Sequence, residues 1–182
     1  MIYRNPLFEF CFADPSILKD GDDYWMTSQN YPGTSWKGML MWHSRDLVNW
    51  EPLYYVVEND PVLCSKARTV WSPDLVKHGD RYYIYNCGPS VGCFVLWTDD
   101  IWKGNWNGPY PLDVVGIDPG HVADDDGRRY IAINRNMIYP LSDDGLSISG
   151  PGREFARPWP IPEEWEIEGV PPSAMKRWKY PP

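Results

Sequence analysis

Four acids stand at or near the head of similar segments. Asp14 begins Asp14-Pro15-Ser16-Ile17-Leu18-Lys19-Asp20-Gly21-Asp22-Asp23-Tyr24-Trp25. Asp74 lies in Trp71-Ser72-Pro73-Asp74-Leu75-Val76-Lys77-His78-Gly79-Asp80-Arg81-Tyr82-Tyr83, and Asp118 in Ile117-Asp118-Pro119-Gly120-His121-Val122, which leads to Asp124-Asp125-Asp126-Gly127-Arg128-Arg129-Tyr130. Glu168 opens a fourth such start, Glu168-Gly169-Val170. Carboxyl groups brought together can divide labour, one accepting a proton while another gives one. Around them the chain carries eleven Trp and twelve Tyr beside only five Phe. Flat rings with a polar edge suit strand packing, and they also suit stacking on the C–H faces of sugars.

Such distant acids form one site only if the fold repeats. Each segment reads as a hairpin. Proline sets its own φ and keeps the preceding residue extended, a short strand follows, and Asp-Gly-Asp or its equivalent supplies the turn. Repeats of roughly 40 to 50 residues, each a run of short strands, are how propeller blades appear in sequence. With the innermost strand of each blade beginning at its acid, Asp14, Asp74, Asp118 and Glu168 fall near one mouth of a central channel.

The rest of the chain agrees with an all-β reading. No long 3.6-residue periodicity occurs. Residues 38–44 predict a buried strand, 54–57 an outer strand, 93–98 a third strand of the second repeat, and 130–134 with 137–141 the third repeat. Residues 102–110 predict a loop. In Ser44-Arg45-Asp46-Leu47-Val48-Asn49-Trp50, Asp46 is expected to bond nearby amides while Leu47 and Trp50 pack inward. The Asp124-Asp125-Asp126-Gly127 run sits where a hairpin turn is required and lacks a twelve-residue ligand loop, so it reads as a turn and not a calcium site.

Composition narrows the partners. The chain has 182 residues, a net charge of −8 and no basic cluster able to follow a phosphate backbone, which argues against nucleic acid. No run of eighteen or more apolar residues predicts a membrane helix, and the first residues do not form a signal peptide, so the expectation is a cytoplasmic chain without a membrane partner. Cys11, Cys64, Cys87 and Cys93 lack metal-ligand spacing and read as reduced thiols. No cofactor and no metal is expected.

Together, Ala-Asp-Pro-Ser-Ile, Ser-Arg-Asp-Leu-Val-Asn-Trp, Trp-Ser-Pro-Asp-Leu, Ile-Asp-Pro with Asp-Asp-Asp-Gly-Arg-Arg-Tyr, Leu-Ser-Asp-Asp-Gly-Leu and the late Glu-Gly resemble glycoside hydrolase family 43 in order and spacing. The resemblance runs from about Asp14 to Gly169. It implies a five-bladed β-propeller and hydrolysis with inversion of substrates such as β-xylosides or α-L-arabinofuranosides from plant cell walls. By the same resemblance Asp14 is the general base, Asp118 the acid that orients and tunes the proton donor, and Glu168 the general acid. Asp74 is then a structural or substrate-side acid. An inverting glycosidase holds its base and acid roughly 6.5–9.5 Å apart so that water fits between base and sugar. Trp36, Trp42 and Trp71 are candidate sugar platforms, and His121 is placed to reach the channel. His43 and His78 read as ordinary strand and turn residues.

Against the family pattern the chain stops early. Residues 1–182 form a single partial propeller of about three blades, starting near 14, 74 and 118 with a fourth beginning near 168. Three readings follow: a glycosidase completed when the missing blades are supplied, a sugar-binding remnant, or an inactive fragment. An incomplete ring leaves two apolar blade faces open, and the expectation is a homo-oligomer that covers them.

Overall fold

A computed structural model describes residues 7–8, 12–30, 39–57, 70–89, 91–134, 136–156 and 168–169. These residues form three four-stranded antiparallel sheets and no helix. The first contains β1 (Phe12–Asp20), β2 (Asp23–Asn30), β3 (Leu40–Ser44) and β4 (Glu51–Tyr55). The second contains β5 (Asp74–His78), β6 (Arg81–Gly88), β7 (Gly92–Thr98) and β8 (Asn107–Pro111). The third contains β9 (Gly120–Ala123), β10 (Arg129–Ile133), β11 (Met137–Pro140) and β12 (Arg153–Glu154). In each sheet the strands lie side by side in chain order, and the leading strands β1, β5 and β9 pack against one another in succession.

Local chemistry accounts for the hairpins. Asp20 pairs with Asp23 and His78 with Arg81, so each turn has two central residues. Gly21 and Gly79 sit there at φ 61° and 60°, which a side chain would resist. In the third sheet the Asp124 carboxylate accepts from the amides of Asp126 and Arg128, making the acidic run a turn, as its sequence predicts.

Period-two alternation in the middle sheet assigns its two faces. Ile84, Phe94 and Leu96 join Trp25, Met39, Met41 and Val56 in the layer between the first and second sheets. Tyr83, Tyr85, Cys87, Cys93 and Val95 join Leu112, Ile131, Ile133 and Leu141 in the layer between the second and third. A side chain and its neighbour along the strand therefore serve different interfaces, and the central sheet is buried on both sides.

Three details differ from the sequence reading. Residues 107–111 are not loop but the edge strand β8, where the prolines are tolerated because no outer neighbour needs their missing N–H. The outer strand of the first sheet begins earlier, at Glu51. Leu47 does not pack inward. The Ser44 hydroxyl accepts from the amides of Asp46 and Leu47, while the Asp46 carboxylate accepts from Val48 and Asn49. That tight turn leaves Leu47 at φ 64° with its side chain exposed. The same amide donors hold the Asp46 carboxyl well below the usual aspartate range, at about 2.

Candidate functional site

The leading strands bring three residues from three sheets to one point. Ser72 Oγ lies 3.0 Å from Asp14 Oδ2 and 2.9 Å from Asp118 Oδ1. Each of the three immediately precedes a proline, Pro15, Pro73 or Pro119, just before or within its leading strand. The repeat is therefore aligned on its prolines, and Ser72, not Asp74, is the counterpart of Asp14 and Asp118. Matching the repeats by their acids therefore places the second one two residues late.

Asp14 and Asp118 adopt left-handed backbone conformations, with φ of 51° and 56°. Aspartate tolerates this region better than most residues, and non-glycine residues held there cluster at functional sites. At Asp14 the kink coincides with a break in ladder register between Ala13 and Ser16, which turns the carboxylate out of the β1–β2 ladder. The backbone of Asp118 is held from two sides. Its amide donates to Cys87 Sγ at 3.4 Å, and the preceding Ile117 exchanges hydrogen bonds with Asn134. Cys87 also accepts, through its carbonyl, from the amide of Trp71 at 2.8 Å. Burial pushes the Cys87 thiol up to about 11 against the opposing pull of the Asp118 amide, with the Asp118 and Asp14 carboxylates adding smaller upward contributions, so it stays neutral beneath the acids.

Asp74 points elsewhere. Its Oδ2 accepts from the amide of His121 at 2.6 Å, and Ser16 Oγ accepts from the amide of Leu75 at 2.9 Å. Ser16 and Asp74 stand two residues past Asp14 and Ser72, and their donors stand three residues past Ser72 and Asp118. The same side-chain-to-amide bond is thus used at both sheet-to-sheet junctions. At the equivalent place in the third sheet, Gly120 has no side chain to offer.

His121 turns into the layer between the second and third sheets. Its ring stacks on Tyr85 at 5.4 Å, and its Nε2 accepts from Arg129 Nε at 3.1 Å. Arg129 is only 3% exposed, donates to the Tyr85 hydroxyl at 2.9 Å and lies 4.2 Å over the Tyr83 ring. Burial first, then the Arg129 charge and His78, pull the His121 imidazole down to about 4, so it is neutral and able to accept.

Of the remaining sequence candidates, Trp71 is half-buried against the layer between the second and third sheets, and Trp42 packs on Phe8 and Phe12 in the first sheet. Glu168 is exposed in a turn whose second residue, Gly169, has φ 77°. Among the described residues it makes no hydrogen bond to Asp14, Ser72 or Asp118. Trp36 lies outside the described residues. Ser72, Cys87, Tyr85 and Arg129 escaped the sequence reading. Only Ser72 carried a usable signal, its place before Pro73.

The profile of glycosyl hydrolases family 43 matches residues 3–177. The chain belongs to this family. Family 43 relatives include a xylosidase/arabinosidase 43B of Humicola insolens, 29% identical over 147 residues, covering 75% of this chain and 26% of that protein. A β-xylosidase of Bacillus subtilis is 27% identical over 168 residues, covering 82% and 29%. Among solved structures, a mutant of the GH43 protein BlXynB of Bacillus licheniformis superposes with a TM-score of 0.73 at 26% identity, covering 85% of this chain and 33% of that one. A native Bacillus subtilis arabinanase, Arb43A, shares the fold with a TM-score of 0.66 at 19% identity, covering 84% and 59%. The chain spans less than a third of the length of the curated relatives named here. Its three sheets are three blades of the family's five-bladed propeller.

The junction bond at Asp74 has a measurable consequence. Burial raises its carboxyl above the usual aspartate range, against the opposing pull of the His121 amide. The folded state then holds the proton more tightly than the unfolded chain, so this group's contribution is fully present below about 3.8 and is lost as pH rises through the folded value. Asp74→Asn keeps an oxygen acceptor for the amide and removes the buried charge. It is expected to raise urea stability at pH 7 and to flatten the fall in stability with rising pH. Asp74→Ala, which orphans the amide, is expected to cost about 1–3 kcal/mol.

Proposed function

We propose that this chain carries part of the catalytic centre of an inverting glycoside hydrolase acting on β-xylosides or α-L-arabinofuranosides. Asp14 is the general base, Asp118 tunes the proton donor, and Glu168 is the general acid. The observation that supports this reading is the meeting of Asp14 and Asp118 at Ser72, with both acids in left-handed conformations. The sugars are those named for the relatives.

In this mechanism Asp14 takes a proton from the attacking water while Glu168 gives one to the leaving oxygen. Asp118 keeps a negative charge near the donor, which favours the donor's protonated form. Hydrolysis of aryl β-xyloside and aryl α-L-arabinofuranoside, followed by NMR of the first-formed anomer, tests it. Inverted product is expected. Retained configuration, or binding of xylo-oligosaccharide without turnover, would overturn it.

We also propose that the outward faces of the first and third blades are covered by a second copy of the chain. Leu18 packs into the core while its neighbour Ile17 is 50% exposed, and on β9 Val122 is 47% exposed. Apolar side chains on open sheet faces favour association. Sedimentation through a dilution series is expected to show a dimer, and a folded monomer at every concentration would count against it.

A further inference from the structure

The meeting of two carboxylates at one hydroxyl requires an explanation that base, tuner and acid roles do not supply. The two contacts laid end to end put the nearest oxygens of Asp14 and Asp118 at most about 6 Å apart. Among the described residues, no Lys, Arg or His forms an ion pair with either acid, and no side chain other than Ser72 donates to either. Two like charges at that range repel unless something between them supplies positive density.

We propose that Ser72 is a positioning residue, whose single hydroxyl proton is shared between Asp14 and Asp118 and holds the two carboxylates at a fixed mutual distance. A serine hydroxyl has one proton and can turn it toward either neighbour. Hydrogen bonds to ionised acceptors are stronger than those between neutral groups, so each acid is restrained whenever the hydroxyl faces it.

The hydroxyl is itself well anchored. Trp71 is tied through its amide to the Cys87 carbonyl, Pro73 is buried, and Leu75 is tied through its amide to Ser16. The second blade thus acts as a fixed post between acids carried by the first and third. Since the three residues come from three sheets, an error in blade packing would be felt directly as a change in the distance between base and tuner.

The other titratable groups around the post are accounted for. From β6, the Cys87 thiol is neutral and receives the Asp118 amide. From β5, the Asp74 carboxylate is directed at the His121 amide, and from β9 the His121 ring is directed at Arg129. None of these competes for the Ser72 proton.

A pair of variants separates the hydroxyl from the volume around it. Ser72→Thr keeps the hydroxyl, whereas Ser72→Val replaces it with a methyl of the same shape and equal branching. The background titration of Asp74, His121 and Cys87 is common to both and cancels in their difference. The melting gap between the two variants is expected to be smaller at pH 3 than at pH 7. At pH 7 the Val variant should melt below the Thr variant, because hydrogen bonds to ionised acceptors are the stronger ones and the Val variant has no hydroxyl to supply them. A melting gap that is the same at every pH would show a packing role only and overturn the proposal.

The kinetic consequence rests on the glycosidase reading above. Ser72→Val is expected to lower kcat about 10²-fold relative to Ser72→Thr, with KM unchanged, as misplacement of a reacting group does. Equal kcat in the two variants would also overturn it. If the unaltered chain turns over neither aryl glycoside, the glycosidase reading fails, while the melting series still decides the role of Ser72.

Discussion

Asp14→Asn is expected to reduce hydrolysis of an aryl β-xyloside or α-L-arabinofuranoside by about 10²–10⁴-fold in kcat, the range that a positioned general base supplies. The substitution leaves shape almost unchanged, and asparagine is also well tolerated at the φ of 51° found here. It can still accept the Ser72 hydroxyl, and it removes one of the two charges meeting there. The variant should therefore fold as well as the parent, and circular dichroism with a melting curve checks that the loss is chemical. Asp46→Asn provides the contrast. Asp46 accepts from the amides of Val48 and Asn49 in a turn on the first blade, so its loss should lower the melting temperature and leave kcat alone. Full activity in Asp14→Asn would remove the assignment of the base.

Arg129→Ala is expected to cost about 3–5 kcal/mol, a large share of the roughly 5–15 kcal/mol that holds a domain together. The guanidinium fills the space between Tyr83, Tyr85, His121 and the turn at Gly145, where a Cβ on the glycine would overlap it. Truncation leaves a cavity and strips the buried Nε2 of His121 of its donor. The cation also helps to keep His121 neutral, after burial itself. In the unaltered protein the depressed imidazole contributes stability that is present above about 6.5 and is lost as pH falls toward about 4. Removing Arg129 should therefore move the His121 titration upward without restoring the free-imidazole value, because burial remains. Urea unfolding and ¹H NMR of the His121 ring measure the two effects. A loss below about 1 kcal/mol would show that the network contributes little.

The local structure was legible in the amino-acid order because it depends on near neighbours. Gly21 and Gly79 between acids and polar residues require two-residue turns, and Asp-Pro at 14 and 118 marks where leading strands begin. The edge strand at residues 107–111 was hidden because its glycine and prolines carry loop chemistry, and only pairing with β7 makes it a strand. Leu47 points outward despite its hydrophobicity because its amide donates to Ser44 Oγ, and the amides of Val48 and Asn49 donate to Asp46, in a turn that fixes its backbone at φ 64°.

By itself the sequence determined an all-β chain of repeated hairpins with acids at their heads, and the family to which those repeats belong. Tertiary structure alone decided which residues meet. Asp74 matched the repeated acid in type, yet it bonds a backbone amide across a blade junction, and Ser72 takes the place beside Asp14 and Asp118. The difference of two residues along a strand is nearly 7 Å, small in an alignment and larger than the reach of a hydrogen bond. Residues 14, 72 and 118 come together only because three separately formed sheets pack around one axis, and that depends on core side chains far from all three.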